Sequence, residues 1–443
     1  MKQVFLQRMQ DLLKDEYDAY IASLDREVYK GLSLNQAKCD IEFLSKHFPY
    51  ALEPSNFSSV GYRFDSNVKS IGNHWSHLAG LYYLQEPSAS SVVDMLDIQE
   101  GDWVLDVCAA PGGKSSQIAT KLNNTGFLVS NEFDSKRANI LLSNLERMGV
   151  TENMITNAPV DKLCPLMQGW FDKVLVDAPC SGEGMMKKHE LAKLEWSKEN
   201  VDACATRQLF ILNEAVQCVK EGGLLVYSTC TYAQEENEGV VYEFLKQHPE
   251  MELVDCLDHV KRTGIVYEDL DVSKLRRIFP MDGGEGHFMC RMRKIVSTGT
   301  SSKNELKSSK VDVEVSKFVK GQLGYEDAYY LEINNKIYMK KTPFIQLKNI
   351  NILRQGVYVG EMVKKRLEPA HHFYLASRFM NDYKQVVELT DEELPIYLSG
   401  NVISRNIKGY VCVMYKKIPL GFGKGDGMMI KNKYPKGLRI MVR

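Results

Sequence analysis

WVLDVCAAPGGKS, residues 103–115, decides the fold of this chain. It starts as a short apolar strand and breaks into a loop of small residues. Such residues let backbone amides approach a ligand closely, and the helix expected after the loop adds the positive end of its dipole. Two phosphate-binding patterns fail on spacing. A Walker A loop needs Gly at 108, where Cys108 stands, and two of the three glycines of the dinucleotide fingerprint are missing. What remains is a ligand gripped by short backbone contacts from Cys108, Ala109, Ala110, Pro111, Gly112, Gly113 and Lys114.

Further strands follow at regular intervals. GFLVSNEF spans 126–133, NMITNAP 153–159, FDKVLVDAP 171–179 and GLLVYSTC 223–230, with apolar-periodic stretches such as SKRANILLSNLERMG between them. This alternation predicts a doubly wound α/β fold, a parallel sheet with helices on both faces. In such a sheet an acid closing the second strand, here Glu132, can accept both ribose hydroxyls of a nucleoside.

The remaining sequence divides around that core. Residues 1–85 begin as an amphipathic helix (Phe5, Met9, Leu12, Leu13) and become irregular, an accessory region to the core. The core covers 86–296. STGTSSKNELKSSK at 297–310 reads as a flexible linker, followed by a middle module at 311–375 and a basic module at 376–443. The formal net charge of −1 hides an asymmetry. Residues 1–296 hold 31 Lys+Arg against 43 Asp+Glu, whereas 297–443 hold 25 against 14, net +11. A basic module joined to an enzyme core points to a polyanionic partner. Ten cysteines without paired CxxC or Cys/His clusters argue against a zinc site and against a disulfide framework. No stretch is long and apolar enough to span a membrane. A cytoplasmic, metal-free monomer is expected.

Two strand ends carry cysteines. The fourth runs into Asp177-Ala178-Pro179-Cys180-Ser181-Gly182-Glu183-Gly184, the fifth into Ser228-Thr229-Cys230-Thr231. With strand order 3-2-1-4-5 these strands are neighbours, and Cys180 and Cys230 face one pocket at their carboxyl ends. Two thiols beside a carboxyl group such as Asp177 suit covalent catalysis by a thiolate with proton transfer at the substrate.

CAAPGGKS, DAPCSGEG and STCT, in this order, resemble the Nol1/Nop2/Sun family of RNA cytosine-C5 methyltransferases. GNHWSHLAGLYYLQEPSA at 72–89 and KNKYPKGLR at 431–439 are similar to its bacterial RsmF/YebU-type small-subunit rRNA branch. The resemblance implies a Rossmann-like class I methyltransferase core with a PUA-like C-terminal module. It implies S-adenosyl-L-methionine as cofactor, RNA, above all 16S rRNA in a small-subunit particle, as partner, and a role in rRNA processing. By resemblance Cys230 is the catalytic nucleophile and Cys180 assists product release. Asp177 serves both cofactor and cytosine N3, and Glu132 holds the ribose. The acid many members carry after the third strand is missing or shifted here, and Asn157 is the substitute contact to adenine. His287 is expected to pack or turn rather than act as a base. Three alternatives stay open: a tRNA substrate, a non-catalytic RNA-binding assembly factor, and the Pro-Cys chemistry of DNA cytosine methyltransferases.

Overall fold

The computed structural model describes residues 2–26, 30–65, 70–187, 196–325 and 327–440. Its central sheet is built from β1 (Trp103–Asp106), β2 (Phe127–Asn131), β3 (Asn153–Asn157), β4 (Phe171–Asp177), β5 (Val219–Thr229), β6 (Met251–Val254), β7 (His287–Lys294) and β8 (Asn351–Gln355). Their order is β6-β7-β5-β4-β1-β2-β3-β8. The five strands β1–β5 pair in parallel in the expected order 3-2-1-4-5. β7 runs antiparallel to β5, and a ninth, short strand, Arg276–Ile278, pairs antiparallel with β7.

Consecutive residues of the inner strands enter opposite cores, because side chains alternate across a strand. Val104, Leu128, Leu175 and Val226 pack on one face, with Ile118 and Leu122 of helix α1 (Gly113–Leu122). Leu105, Val129, Val174 and Leu225 pack on the other. Both faces being covered, the strands read as apolar runs rather than alternating ones. Helix α2 (Ser135–Met148) buries the stripe Ala138, Leu141, Leu145 and Met148. Asp134 caps its start by accepting from the Arg137 N–H, and Gly149 ends it at φ 77°. Helices α3 (Lys198–Ala215) and α4 (Glu238–Gln247) follow β4 and β5.

The flanking regions depart from the sequence reading. After its first helices the N-terminal region forms a four-stranded sheet, Lys30–Leu34, Glu53–Pro54, Gly61–Phe64 and Tyr82–Leu84. That sheet shares an apolar core with the C-terminal five-stranded sheet, where Trp75 meets Tyr415 edge-on at 4.9 Å. The stretch 297–310 is not a free tether. The Trp170 indole donates to the Ser301 carbonyl at 2.9 Å, and Lys303 lies over the Trp103 ring at 3.4 Å. Glu305–Leu306 pairs with Phe344–Ile345. The middle module lends β8 to the central sheet, antiparallel to β3, and so covers what would be an open edge.

Candidate active site

The loops after β1, β2, β4 and β5 meet at the carboxyl end of the sheet. After β1 the chain turns through Gly112 at φ +111°, a conformation a side chain resists. A Cβ on Gly113 would lie 3.0 Å from the Tyr83 ring. Arg137 of α2 donates to the Ala110 carbonyl at 2.8 Å, and Asn144 to the Pro111 carbonyl at 2.8 Å, which fixes the loop against α2. Below it Asp106 accepts from Ser115 Oγ at 2.7 Å. Its second oxygen is buried without a hydrogen-bond partner among the described residues, and burial pushes its carboxyl up to about 7.

Glu132 is buried at the end of β2, where it accepts from the Asp134 N–H at 2.9 Å and lies 3.7 Å from Arg137. Asn157 turns its amide nitrogen onto the carbonyls of Glu132 and Phe133, both at 2.8 Å. Two acceptors on one side fix which way the amide points. Only its oxygen is left to accept from a ligand. Asn157 therefore shapes the loop after β2 before it recognises anything.

The second half of the site gathers at β4 and β5. Lys114 pairs with Asp177 at 2.7 Å, and Ser228 Oγ donates to the other Asp177 oxygen at 2.7 Å. Burial opposes charge on Asp177, but Lys114, His287 and Ser228 hold its carboxyl below the usual range. It is a carboxylate, not the carboxylic acid the N3 role suggests. Lys114 stays charged against its burial because Asp177 and Cys230 favour the ammonium. The Cys180 and Cys230 sulfurs lie 3.2 Å apart, and the Cys230 N–H points at Cys180 sulfur at 3.4 Å. The contact with Cys230 and burial raise the Cys180 thiol well above its ordinary value, so Cys180 keeps its proton. His287, first residue of β7, is buried with Nδ1 3.4 Å from Ser88 Oγ. Burial and the Lys114 charge lower it to about 4, so it is neutral near pH 7.

Relatives match this chain in sequence over nearly its full length. The ribosomal RNA small subunit methyltransferase F of Erwinia tasmaniensis is 30% identical over 98% of this chain and 96% of its own length. The chain belongs to the RsmF family. The protein of that name from Vibrio cholerae serotype O1 is also 30% identical, over 98% of this chain and 96% of its own. Four family models match in sequence: the N-terminal domain of 16S rRNA methyltransferase RsmF at 1–87, 16S rRNA methyltransferase RsmB/F at 93–293, the RsmF rRNA methyltransferase first C-terminal domain at 317–376 and the methyltransferase RsmF PUA domain at 384–440. Among solved structures, a methyltransferase homolog protein from Pyrococcus horikoshii is 26% identical with TM-score 0.59, covering 66% of this chain and 95% of that one. NSun6 from Pyrococcus horikoshii with SFG, 21% identical, shares the fold at TM-score 0.60 over 67% of this chain and 99% of its own.

Two residues of this RsmF-family site escaped the sequence reading. Phe133, beside Glu132, leaves 72% of its surface exposed where the loops converge. Ser228 holds Asp177. The exposure of an aromatic residue next to a strand-end acid is invisible in sequence. Ser228 lies inside the STCT stretch near the end of β5, two residues before Cys230, and that position was a usable signal.

Proposed function

We propose that this chain methylates carbon 5 of a cytosine in 16S rRNA, with S-adenosyl-L-methionine as methyl donor and Cys230 as nucleophile. The observation that carries the reading is the pair of thiols 3.2 Å apart beside the Lys114–Asp177 ion pair. The β1 loop fits the cofactor: glycines where a side chain would crowd, a buried unpartnered Asp106 oxygen, and Glu132 at the end of β2. Residues 108–114 would hold it along its backbone, Glu132 its ribose, and Phe133 and Asn157 its adenine. When bound, the sulfonium supplies an electrophilic methyl group.

The remaining chemistry belongs to the side chains. The target atoms are shielded in a stacked helix, so the cytosine enters single-stranded or flipped out. Cys230 sulfur bonds to carbon 6 and gives up its proton. Asp177, a carboxylate in the free site, takes up a proton and delivers one to N3, so that carbon 5 becomes the nucleophilic end of an enamine. After methylation the carbon 5 proton leaves to a base, N3 returns its proton to Asp177, the carbon–sulfur bond breaks, and its electrons return to Cys230. Cys180, which keeps its proton, is placed to donate it to the departing sulfur. The RsmF names of its relatives support 16S rRNA over tRNA and over a non-catalytic role. Bisulfite sequencing of total rRNA and tRNA from a deletion strain tests this. One or more 5-methylcytosines should vanish from 16S rRNA and return with the gene. Intact 16S methylation with a loss in tRNA would refute it.

A further inference from the structure

We propose that Glu183 is a positioning residue that holds the Cys180 and Cys230 loops as one body and ties both to the N-terminal helices. This rests on the reading of the two cysteines above. Strand pairing between β4 and β5 ends at Asp177 opposite Ser228, with one further bond from the Ala178 N–H to the Ser228 carbonyl at 3.0 Å. Beyond it both cysteines stand on loops, and the 3.2 Å between their sulfurs depends on what joins those loops.

Glu183 is that joint. It is 3% exposed, and one of its oxygens accepts from Thr231 Oγ1 and from the Tyr232 N–H, each at 3.0 Å. These groups directly follow Cys230. The neighbouring Gly184 N–H donates to the Cys230 carbonyl at 2.9 Å, and a Cβ on Gly184 would lie 2.8 Å from that oxygen. Ser181 completes the stitching: its hydroxyl is 2.8 Å from Thr231 Oγ1, and its N–H donates to Glu236 at 2.9 Å. A glutamate opening a short helical turn ordinarily caps its own turn or faces water. Every side-chain bond of Glu183 instead reaches at least 13 residues along the chain. Burial raises its carboxyl, a cost the three donors offset.

The third donor extends the joint outward. The Trp196 indole donates to Glu183 at 2.8 Å. Trp196 meets Phe5 edge-on at 5.4 Å, and its carbonyl accepts from Lys2 at 2.7 Å. Arg8 pairs with Glu235 of the Cys230 loop at 2.9 Å. Tyr20 of the helix Tyr17–Leu24 meets Tyr232 edge-on at 5.9 Å, so both this helix and Gln3–Leu13 are built into the support of the cysteines, a task distinct from holding RNA.

The test uses full-length protein and single-turnover methylation of 16S rRNA fragments. Glu183→Ala should slow the chemical step by about ten- to a hundredfold, the scale of a small misplacement of reacting groups, with cofactor and RNA affinity changed by less than about twofold. Glu183→Gln sets an amide N–H₂ against the Trp196 N–H. Trp196→Phe removes that opposing donor, so the double variant should recover most of the rate lost in Glu183→Gln. This rescue also serves if Glu183→Ala does not fold. In a Cys180→Ala background, Glu183→Gln should slow the appearance of the protein–RNA adduct. A folded Glu183→Ala enzyme as fast as wild type, or no recovery in the double variant, would overturn the brace. If instead Cys180→Ala forms no adduct and Cys230→Ala still methylates, the cysteine reading itself fails, whatever the Glu183 variants do.

Discussion

Asp106 closes β1 with one carboxylate oxygen on Ser115 and the other buried and unpartnered among the described residues. Burial raises its carboxyl to about 7. A cation bound in the loop above favours the charged form, so S-adenosylmethionine binding should release a proton from Asp106. Affinity should therefore rise with pH from about 5.5 to 7.5 and level off above. Calorimetry across that range checks this; Asp106→Asn should flatten the curve, and a wild-type curve already flat would contradict it. At this scale the sequence was most legible where chemistry dictates residue type. Cys180, Cys230, Asp177 and Lys114 are brought together by the fold at the ends of neighbouring strands, as their places in the sequence predict. Glu183 and Phe133 were hidden, since one acts through partners at least 13 residues away and the other through exposure. The charge state of Asp177 was also out of reach, because it depends on Lys114 folding back onto it.

Among elements, α4 and the short strand Arg276–Ile278 are joined by a buried ion pair. Arg277 Nε donates to Glu238 at 2.7 Å, a second guanidinium nitrogen donates to the other carboxylate oxygen, and a third donates to the Tyr232 carbonyl at 2.8 Å. Arg277 is 1% exposed and Glu238 is fully buried. Arg277→Ala leaves an uncompensated carboxylate and should cost about 3–5 kcal/mol in urea unfolding. A loss below about 1 kcal/mol would show the pair to be dispensable. The inner strands were readable as apolar runs closed by small or polar residues, since a sheet covered on both faces demands them. The N-terminal sheet was not: its strands are two to five residues long and are stabilised by the C-terminal module, more than 300 residues away. The 297–310 stretch has linker composition, yet Ser301 and Lys303 find partners in Trp170 and Trp103 that no local pattern announces.

For the whole molecule, the net +11 after residue 296 is the clearest feature of the sequence. Among the described residues no helix is long and apolar enough to cross a membrane. Removing the basic region after residue 296 would uncover β3 and half of a shared core, so substitution tests RNA binding better than truncation. Lys424, Lys431 and Lys436 are exposed on the C-terminal module. Changing all three to Ala should weaken RNA binding and lower the slope of log affinity against log salt by about 0.7–0.9 for each phosphate that is no longer neutralised. An unchanged slope would move the RNA anchor elsewhere. Cofactor affinity should not change.

The two cysteines offer the most direct test of the chemistry. S-adenosylmethionine and substrate RNA are incubated with each single variant and the double variant, and denaturing electrophoresis reads protein–RNA species. Cys230→Ala should neither methylate nor trap RNA. Cys180→Ala should accumulate a cofactor-dependent species stable to denaturation, and the double variant should not. Trapping by Cys230→Ala, with Cys180→Ala simply inactive, would reverse the roles and contradict the mechanism.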